Sequence, residues 1–268
     1  MKRLVALTGL TLAVCALVCA QETAGDRVVV PARNTSHPRV VKASVTFGSL
    51  TVKTYNGKEV IVETKGGQPG GPRTFEGLRR IDVPRGLEVT EEDNVINVKP
   101  SALNRGGLVL TVPPYTSLQL NSTHGDITVE GVHGDIQAET THSDVNLTNV
   151  SGTVAANSTH GTIKVTMERV DPGKPLSFST VHGDIDVTLP DDVKANVKMS
   201  TTQGSIFSDF EIKLTGGQPI TETSGSPDAR FRVRIDRTIY GTINGGGAEA
   251  SFRTVHGRVL VRKKSGAR

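Results

Sequence analysis

Cysteine is nearly absent from this sequence of 268 residues, and its two copies both lie within the first twenty positions. Cys15 and Cys19 belong to a segment typical of an export signal, with a basic start, an apolar stretch from Leu4 to Val18 and small residues before Gln21. We therefore expect residues 1–20 to be a signal peptide that is removed on export. The mature chain would then contain no cysteine, which excludes disulfides, thiolate catalysis, cysteine-ligated zinc and iron–sulfur clusters.

Aromatic side chains, excess charge and long apolar runs are scarce as well. Phe, Tyr and Trp make up 4% of the residues and Trp is absent, so few rings are available to stack on nucleic-acid bases. Removing Lys2 and Arg3 from the 31 basic residues leaves 29 against 27 acidic ones, so charge does not favour a nucleic-acid partner either. No stretch of the mature chain approaches eighteen uninterrupted apolar residues, and we expect no transmembrane segment there.

An internal repeat of eighteen residues organises the middle of the chain. Residues 121–138 read NSTHGDITVEGVHGDIQA, residues 139–156 read ETTHSDVNLTNVSGTVAA, and a third copy begins at Asn157 with NSTHGTIKVTMERV. Less regular copies follow as STVHGDIDVTL at Ser179, STTQGSI at Ser200 and RTVHGRVLV at Arg253, and FGSLTV at Phe47 resembles a degenerate early copy. Short loops rich in Asp and Pro interrupt the period after the third copy. A period of this length predicts a stack of like structural units.

Between the turns, Ile, Val and Leu alternate with polar residues, as in Ile127-Thr128-Val129 and Ile163-Lys164-Val165. A period of two with β-branched residues predicts half-buried strands, and no sustained helical period is present. The fold is therefore predicted to be all-β. Two strands and two turns in each repeat favour a β-solenoid-like stack of 18-residue coils about 4.8 Å apart. A β-sandwich of short antiparallel strands is the alternative, because its strands also recur at short intervals.

The sequence predicts a single β-strand-repeat domain over residues 39–262. It divides into N-terminal capping strands (39–120), regular repeats (121–208), and C-terminal strands with a cap (209–262). Residues 21–38 are expected to be disordered after cleavage, and residues 263–268 form a basic tail.

The strings STHGDITVEGVHGDI, STVHGDIDVTLP and RTVHGRVLV resemble the bacterial toastrack family of adhesin-like β-strand-repeat domains. The likeness runs from about Val40 to Val261 and includes the lead-ins LTVPPYTSLQL and INGGGAEASF. The resemblance implies an exported or envelope-exposed β-repeat module with no established enzymatic activity.

Histidine and aspartate at the turns are the first candidates for chemistry. His124, His142 and His160 recur every eighteen residues and are expected to line one corner of the stack, extended by His182. A column of imidazoles could bind a divalent metal, whereas the simpler interpretation is a row of exposed turn residues, and we assign no metal site. Four acidic residues that follow the turns resemble a calcium-binding β-roll in spacing only, and hydrogen bonding within the turns explains them more economically. The four are Asp126, Asp135, Asp144 and Asp184.

Arg230, Arg232 and Arg234 are the candidate ligand-binding residues. They alternate with apolar residues in RFRVRI, so a strand would place all three on one face, where guanidinium groups could bind phosphates or carboxylates. Further basic residues, Arg253, Arg258, Arg262, Lys263 and Lys264, could extend this patch. The alternative is a solvated face whose charges discourage edge pairing.

The sequence lacks the local motifs of serine hydrolases, zinc peptidases, nucleotide-binding loops and dinucleotide-binding folds. We therefore predict a non-enzymatic, exported module, without a cofactor, that presents a surface for binding or adhesion in the bacterial envelope or outside the cell. Its partner would be an envelope protein or an anionic polymer or glycan, and the expected location is the periplasm or the cell surface. The alternatives are an envelope-stress or signalling scaffold that binds a membrane protein, and a glycan-cleaving enzyme on a β-helix.

Overall fold

A computed structural model describes residues 27–32, 38–65, 74–75, 78–79, 86–101, 106–215 and 238–264. Within these residues the secondary structure is entirely β. The strands are β1 (Arg27–Val30), β2 (Val40–Phe47), β3 (Leu50–Thr54), β4 (Val60–Thr64), β5 (Thr74–Phe75), β6 (Leu78–Arg79), β7 (Leu87–Glu92), β8 (Val95–Pro100), β9 (Leu108–Val112), β10 (Ser117–His124), β11 (Ile127–Glu130), β12 (Ile136–Thr140), β13 (Val145–Val150), β14 (Val154–His160), β15 (Ile163–Met167), β16 (Leu176–His182), β17 (Ile185–Leu189), β18 (Ala195–Gln203), β19 (Ile206–Ser208), β20 (Lys213–Leu214), β21 (Thr238–Ile243), β22 (Ala248–His256) and β23 (Val259–Lys263).

Two large sheets contain nearly all of these strands. The ten-stranded sheet has the order β1-β4-β9-β3-β11-β13-β15-β17-β23-β19, and the eleven-stranded sheet has the order β20-β21-β18-β22-β16-β14-β12-β10-β2-β8-β7. The strands of the eight coils pair parallel in both sheets, whereas five antiparallel pairs lie toward the sheet ends, namely β1–β4, β4–β9, β7–β8, β18–β21 and β20–β21. Parallel pairing throughout the interior excludes the antiparallel sandwich that the sequence left open.

The chain crosses from one sheet to the other and back, so each coil contributes one strand to each sheet. Eight coils stack in the order β8–β9, β2–β3, β10–β11, β12–β13, β14–β15, β16–β17, β22–β23 and β18–β19. Strand partners keep the eighteen-residue register, as in Ile127 opposite Val145 and Val145 opposite Ile163. The predicted β-solenoid-like stack is confirmed, and the degenerate copy at Phe47 is one of its coils.

The order of the stack differs from the order of the chain at both ends. The coil β22–β23 lies between β16–β17 and β18–β19, and the coil β2–β3 lies between β8–β9 and β10–β11. The last repeat is therefore an inner layer, although the sequence predicted it as part of a C-terminal cap. Matching side chains explain this position, because Phe252 packs on Phe178 with ring centroids 5.4 Å apart and Arg258 pairs with Asp184.

The core lies between the two sheets and consists of aliphatic columns that run along the stack. One column of fully buried side chains contains Ile127, Val145, Ile163, Ile185 and Val259, and its neighbour contains Val129, Leu147, Val165, Val187 and Val261. These residues are the inward half of the alternation seen in the sequence. Each buried aliphatic side chain stabilises the fold by about 1.5–3 kcal/mol, so the stack is held together without covalent links.

The N-terminal segment is more ordered than the sequence predicted. Arg27–Val30, inside the stretch 21–38 that was expected to be disordered, forms β1 and pairs antiparallel with β4. That expectation is wrong for these four residues, because Val30 is buried in the core and Arg27 forms an ion pair with Glu63 at 3.1 Å. The predicted signal peptide and the end of the basic tail lie outside the described residues. The part of the chain that the structure describes contains no helix long and apolar enough to cross a membrane.

Candidate functional site

The turns that lead from the eleven-stranded sheet to the ten-stranded sheet form one edge of the stack, which we call the histidine corner. Its residues are 124–126, 142–144, 160–162, 182–184 and 256–258. Five imidazole rings stack face to face there, with centroids 4.7–5.2 Å apart and interplanar angles of 1–5°. The rings belong to His124, His142, His160, His182 and His256. We call this column the histidine ladder, and all five residues are exposed.

The two ends of the histidine ladder differ from its middle. Phe47, at the turn of the β2–β3 coil, stacks on His124 with ring centroids 5.4 Å apart. Gln203 lies opposite His256 in the register of β18 and β22, so an amide takes the place of the ring in the last coil. The predicted column is therefore confirmed, and the structure adds His256, whose place in the ladder follows from the inner position of β22–β23.

A buried hydroxyl two residues before the histidine joins neighbouring turns in three of the five coils. Ser158 donates to the Ser143 carbonyl at 3.2 Å, Thr180 to the Gly161 carbonyl at 3.1 Å, and Thr254 to the Gly183 carbonyl at 3.0 Å. In each case the carbonyl belongs to the turn of the preceding coil. A buried carbonyl without a hydrogen-bond partner would destabilise the fold. These hydroxyls supply the missing donor and thereby join neighbouring turns.

A glycine follows the ladder position in every coil from β10–β11 onward except at Ser143, and close packing between coils explains it. A Cβ atom added to Gly161 would lie 2.0 Å from the Ser143 carbonyl oxygen, and one added to Gly204 would lie 1.9 Å from the Gly257 carbonyl oxygen. Both contacts are far shorter than any real Cβ contact, and the obstructing atoms are backbone. Any larger residue at these positions would therefore push two coils apart.

The aspartate of the motif bonds to the next coil. Asp144 Oδ1 accepts a hydrogen bond from the Thr162 backbone N–H at 2.7 Å, and Asp126 Oδ1 accepts one from the Asp144 backbone N–H at 3.2 Å. The sequence predicted hydrogen bonding inside the turn, whereas the structure shows bonding between successive turns. The recurring carboxylates are therefore architectural, because each one supplies an acceptor to a backbone donor that the turn leaves free.

Arginine replaces aspartate at this position in the inserted coil, and its chemistry is complementary. The Arg258 backbone N–H donates to Asp184 Oδ1 at 2.7 Å, and its guanidinium donates to Oδ2. The guanidinium holds the pKa of the Asp184 carboxyl below its usual value, although burial opposes this effect. Arg262 pairs with Asp186 in the same way, at 2.8 Å. Two of the residues that could have extended a basic patch are thus engaged between coils.

The histidine ladder does not have the geometry of a metal site. Ring planes within 5° of parallel direct the nitrogen lone pairs of neighbouring imidazoles along parallel lines, whereas ligands of one ion converge on it. Among the described residues there is no group of three His, Cys, Asp or Glu side chains that could hold a metal ion. The recurring aspartates likewise direct an oxygen at a backbone N–H and do not form a calcium cage.

The opposite edge of the stack carries a groove of about 820 Å³, and we call this edge the groove corner. Its turns lead from the ten-stranded sheet back to the eleven-stranded sheet and comprise residues 113–116, 131–135, 151–153, 168–175 and 190–194. Residues 244–247, which precede β22, complete its far wall. The aromatic and ionisable side chains that line it are Tyr115, His133, Glu168, Arg169, Asp192 and Lys194.

An aromatic pair lies at one end of the groove. Tyr115 follows two prolines in a tight turn and is 75% exposed. Its ring centroid lies 5.8 Å from that of His133, with the planes tilted by 44°. His133 Nδ1 lies 3.0 Å from Ser151 Oγ, which holds the imidazole in place. The groove therefore offers a fixed aromatic surface next to polar groups.

Charges of both signs line the rest of the groove. Glu168 lies 3.7 Å from His133 Nδ1, and Arg169 forms an ion pair with Asp171. Lys174 forms an ion pair at 3.0 Å with Asp135, whose carboxyl points toward the same corner. Burial raises the pKa of Asp135, but hydrogen bonds from the Thr153 backbone and from Lys174 outweigh it, so that the pKa is lowered overall.

The Ser151, His133 and Glu168 side chains do not form a catalytic triad. In a triad the histidine uses one ring nitrogen for the serine and the other for the acid. Here the serine and the carboxylate both lie next to Nδ1, and Ser151 is only 1% exposed.

The sequence did not predict the groove, and the candidate residues Arg230, Arg232 and Arg234 lie outside the described residues. The breaks in the repeat, at DPGKP and at LPDD, are the signal that could have found it, because these insertions form the groove walls. Tyr115 stands in the lead-in before the first regular copy, where nothing in the pattern distinguishes it.

The sequence matches the profile of the family described as Toastrack DUF4097 over residues 40–244. No curated protein matches significantly. Among solved structures, a "putative cell adhesion protein" from Clostridium sporogenes aligns with 90% of this chain and 100% of its own, at 8% identity and a TM-score of 0.43. The profile covers well over half of the chain, and the chain therefore belongs to the Toastrack DUF4097 family.

Proposed function

We propose that this chain is an exported, non-enzymatic module that binds an envelope or cell-surface component through its groove corner. The observation that carries the proposal is the groove itself, a cavity of about 820 Å³ on an otherwise regular scaffold. The N-terminal segment typical of an export signal supports a location in the periplasm or at the cell surface. Membership of the Toastrack family supports a surface role for a β-repeat module.

The composition of the groove suits a carbohydrate-containing ligand. The exposed Tyr115 ring offers an apolar face for the C–H surface of a sugar, and its hydroxyl remains available for a hydrogen bond. Glu168, Arg169, Asp192 and Lys194 supply donors and acceptors along the same groove. Ligand sites of proteins commonly combine an apolar surface with a few convergent polar groups in this way.

Two features support binding without catalysis. The recurring His-Gly-Asp motif is occupied by contacts between coils, and the hydroxyl next to His133 is buried. Neither provides an accessible nucleophile. Glu168 and Asp192 are carboxylates in the groove, and an assay for released sugar tests whether they cleave a glycan.

A binding assay on bacterial cell-wall sacculi and on a glycan array tests the proposal. We expect wild-type protein to sediment with sacculi or to bind a glycan, and Tyr115→Ala to lose most of that binding. Phe207→Ala is the matched control, because Phe207 is another exposed aromatic, 55% accessible, on the outer face of the ten-stranded sheet. An Arg230→Ser, Arg232→Ser, Arg234→Ser variant tests the patch predicted from the sequence.

The possible results separate the alternatives. Equal binding by Tyr115→Ala and Phe207→Ala would contradict the groove as the binding site, and loss only in the triple arginine variant would favour the basic patch. Release of soluble sugar products would show an enzyme. Capture of a membrane protein from envelope extract, without any glycan binding, would favour a signalling scaffold.

A further inference from the structure

The histidine ladder has a property that the groove does not share. Five of the seven histidines of the chain lie in one row, and each ring is exposed to solvent. Histidine is the side chain whose charge changes between about pH 5 and pH 8. Neighbouring rings lie only 4.7–5.2 Å apart. In water, two unit charges repel each other with about the thermal energy at roughly 7 Å, so the protonated rings are closer than that distance.

The other charged groups of this corner make its net charge change sign. Asp126, Asp144 and Asp184 contribute three negative charges and Arg258 contributes one positive charge, which gives −2 while the imidazoles are neutral. Five protonated imidazoles change this value to +3. Glu139 and Arg253 on the outer face of the eleven-stranded sheet offset each other. On the ten-stranded sheet, Asp186 is paired with Arg262, and Lys164 adds one positive charge.

We propose that the histidine ladder is a binding site for a linear polyanion that operates only at acidic pH. The row of charges presents one positive group every coil, and a flexible polymer that carries sulfate, phosphate or carboxylate groups can place its anions along the exposed ring edges. Binding removes the repulsion within the row and releases the small counterions that the row and the polymer hold separately. The inter-coil bonds from the aspartates leave the turn backbone fixed, so the rings are already aligned before the polymer arrives.

Dextran sulfate is the probe for the first test, because its sulfate esters are ionised at both pH 5 and pH 8 and any pH dependence must come from the protein. Neutral dextran serves as the blank. We expect wild-type protein to bind dextran sulfate more tightly at pH 5 than at pH 8, by on the order of tenfold, with an affinity that falls as salt rises. Its melting temperature at pH 5 should also rise in the presence of the polymer.

The decisive variant is His142→Gln, His160→Gln, His182→Gln. Glutamine stands at the equivalent position in β18 as Gln203, so the stack accommodates this side chain. We expect the variant to fold as the wild type does at pH 8 and to lose the pH dependence of binding. The matched control is Lys42→Gln, Lys53→Gln, Lys99→Gln, which removes three exposed charges away from the ladder and should retain the pH dependence.

Two outcomes would overturn the proposal: equal binding by the wild type at both pH values, or a pH dependence that survives in the histidine variant. Polygalacturonate and inorganic polyphosphate, used in parallel, distinguish a carboxylate polymer from a phosphate polymer as the preferred ligand. Tyr115→Ala should bind dextran sulfate as the wild type does. Failure of the groove as a glycan site and failure of the ladder as a polyanion site are therefore separate results.

Discussion

In six of the eight coils, the chain passes from the eleven-stranded sheet to the ten-stranded sheet, on the side of the histidine corner, through a turn of two residues. The turns at the groove corner range from three to eight residues. Both corners rest on the same aliphatic columns, and both use aspartate to bond one turn to the next. The two corners differ in how strictly they keep the repeat. At the histidine corner, similar turns place the same side chain in a row over five coils. At the groove corner, unequal turns create a cavity with unlike walls.

A repeat protein can therefore carry two kinds of surface on one scaffold. A regular edge presents one chemical group many times, which suits a ligand that is itself repetitive. An irregular edge brings different groups together once, which suits a ligand of defined shape.

The largest expected effect tests whether the two corners share one core. Ile163 follows the histidine corner and Ile136 follows the groove corner, and both are at most 2% exposed. The test variants are Ile163→Asp and Ile136→Asp. Each change buries a carboxylate in an aliphatic column, and we expect a loss of about 4 kcal/mol or more in the free energy of unfolding. Urea denaturation measures it. A large loss in only one variant would show that the corners do not depend on a common core.

Replacing a glycine by alanine should destabilise the histidine corner more than the groove corner, because the coils pack more closely at the histidine corner. Gly161→Ala would bring a Cβ atom 2.0 Å from a backbone oxygen, and we expect it to cost about 2–3 kcal/mol. Gly173, in the groove-corner loop, has φ +80° and no atom within 4 Å of the position that a Cβ would occupy, so Gly173→Ala should cost only the backbone strain of about 1 kcal/mol. Thermal unfolding of both variants gives the comparison. Equal losses would mean that the histidine corner is less tightly packed than the structure shows.

The charge of Asp184 should have a smaller effect on stability, and only at a pH where its carboxyl is ionised. Asp184→Asn keeps an oxygen acceptor for the Arg258 backbone but removes the ion pair, and because solvent screens this pair we expect the melting temperature to fall by at most about 3 °C. The pKa of Asp184 is lowered in the folded state, so its contribution is present above the ordinary carboxyl pKa and disappears as the pH falls through the lowered value. Thermal unfolding of both proteins from pH 7 down to pH 3 measures this. A difference that grew on acidification would contradict the assigned partner.

The smallest expected effect on stability belongs to the groove. Tyr115→Ala removes a ring that is 75% exposed, and we expect the free energy of unfolding to change by less than about 0.5 kcal/mol. Urea denaturation checks this value on the same sample that is used for glycan binding. A marked destabilisation would mean that the ring supports the groove wall, and a loss of binding in that variant could not then be assigned to contact with a ligand.

The sequence predicts the fold well because the repeat constrains it at several levels. The alternation of apolar and polar residues that begins at Ile127, Val145 and Ile163 predicts the strands. The eighteen-residue interval predicts their register and the column of His124, His142 and His160. The inner position of β22–β23 could not be predicted, because any coil with this motif can pair with any other. The groove escaped prediction for a related reason, since its shape depends on which loops become neighbours. Tyr115 and Lys194 lie far apart in the chain, and only the folded stack brings both to the same groove.

The inner position of the last coil also sets the time at which the domain can be completed. Arg258 donates to Asp184 across 74 residues of chain, and β22 pairs with both β16 and β18, which are consecutive strands of their sheet in chain order. During synthesis the earlier strands are available long before the later ones. The native partner of both β16–β17 and β18–β19 is therefore absent until the final repeat arrives, and contacts between such distant segments form slowly. Until then β18–β19 can pair directly with β16–β17, and the last coil enters the stack only if that pairing opens.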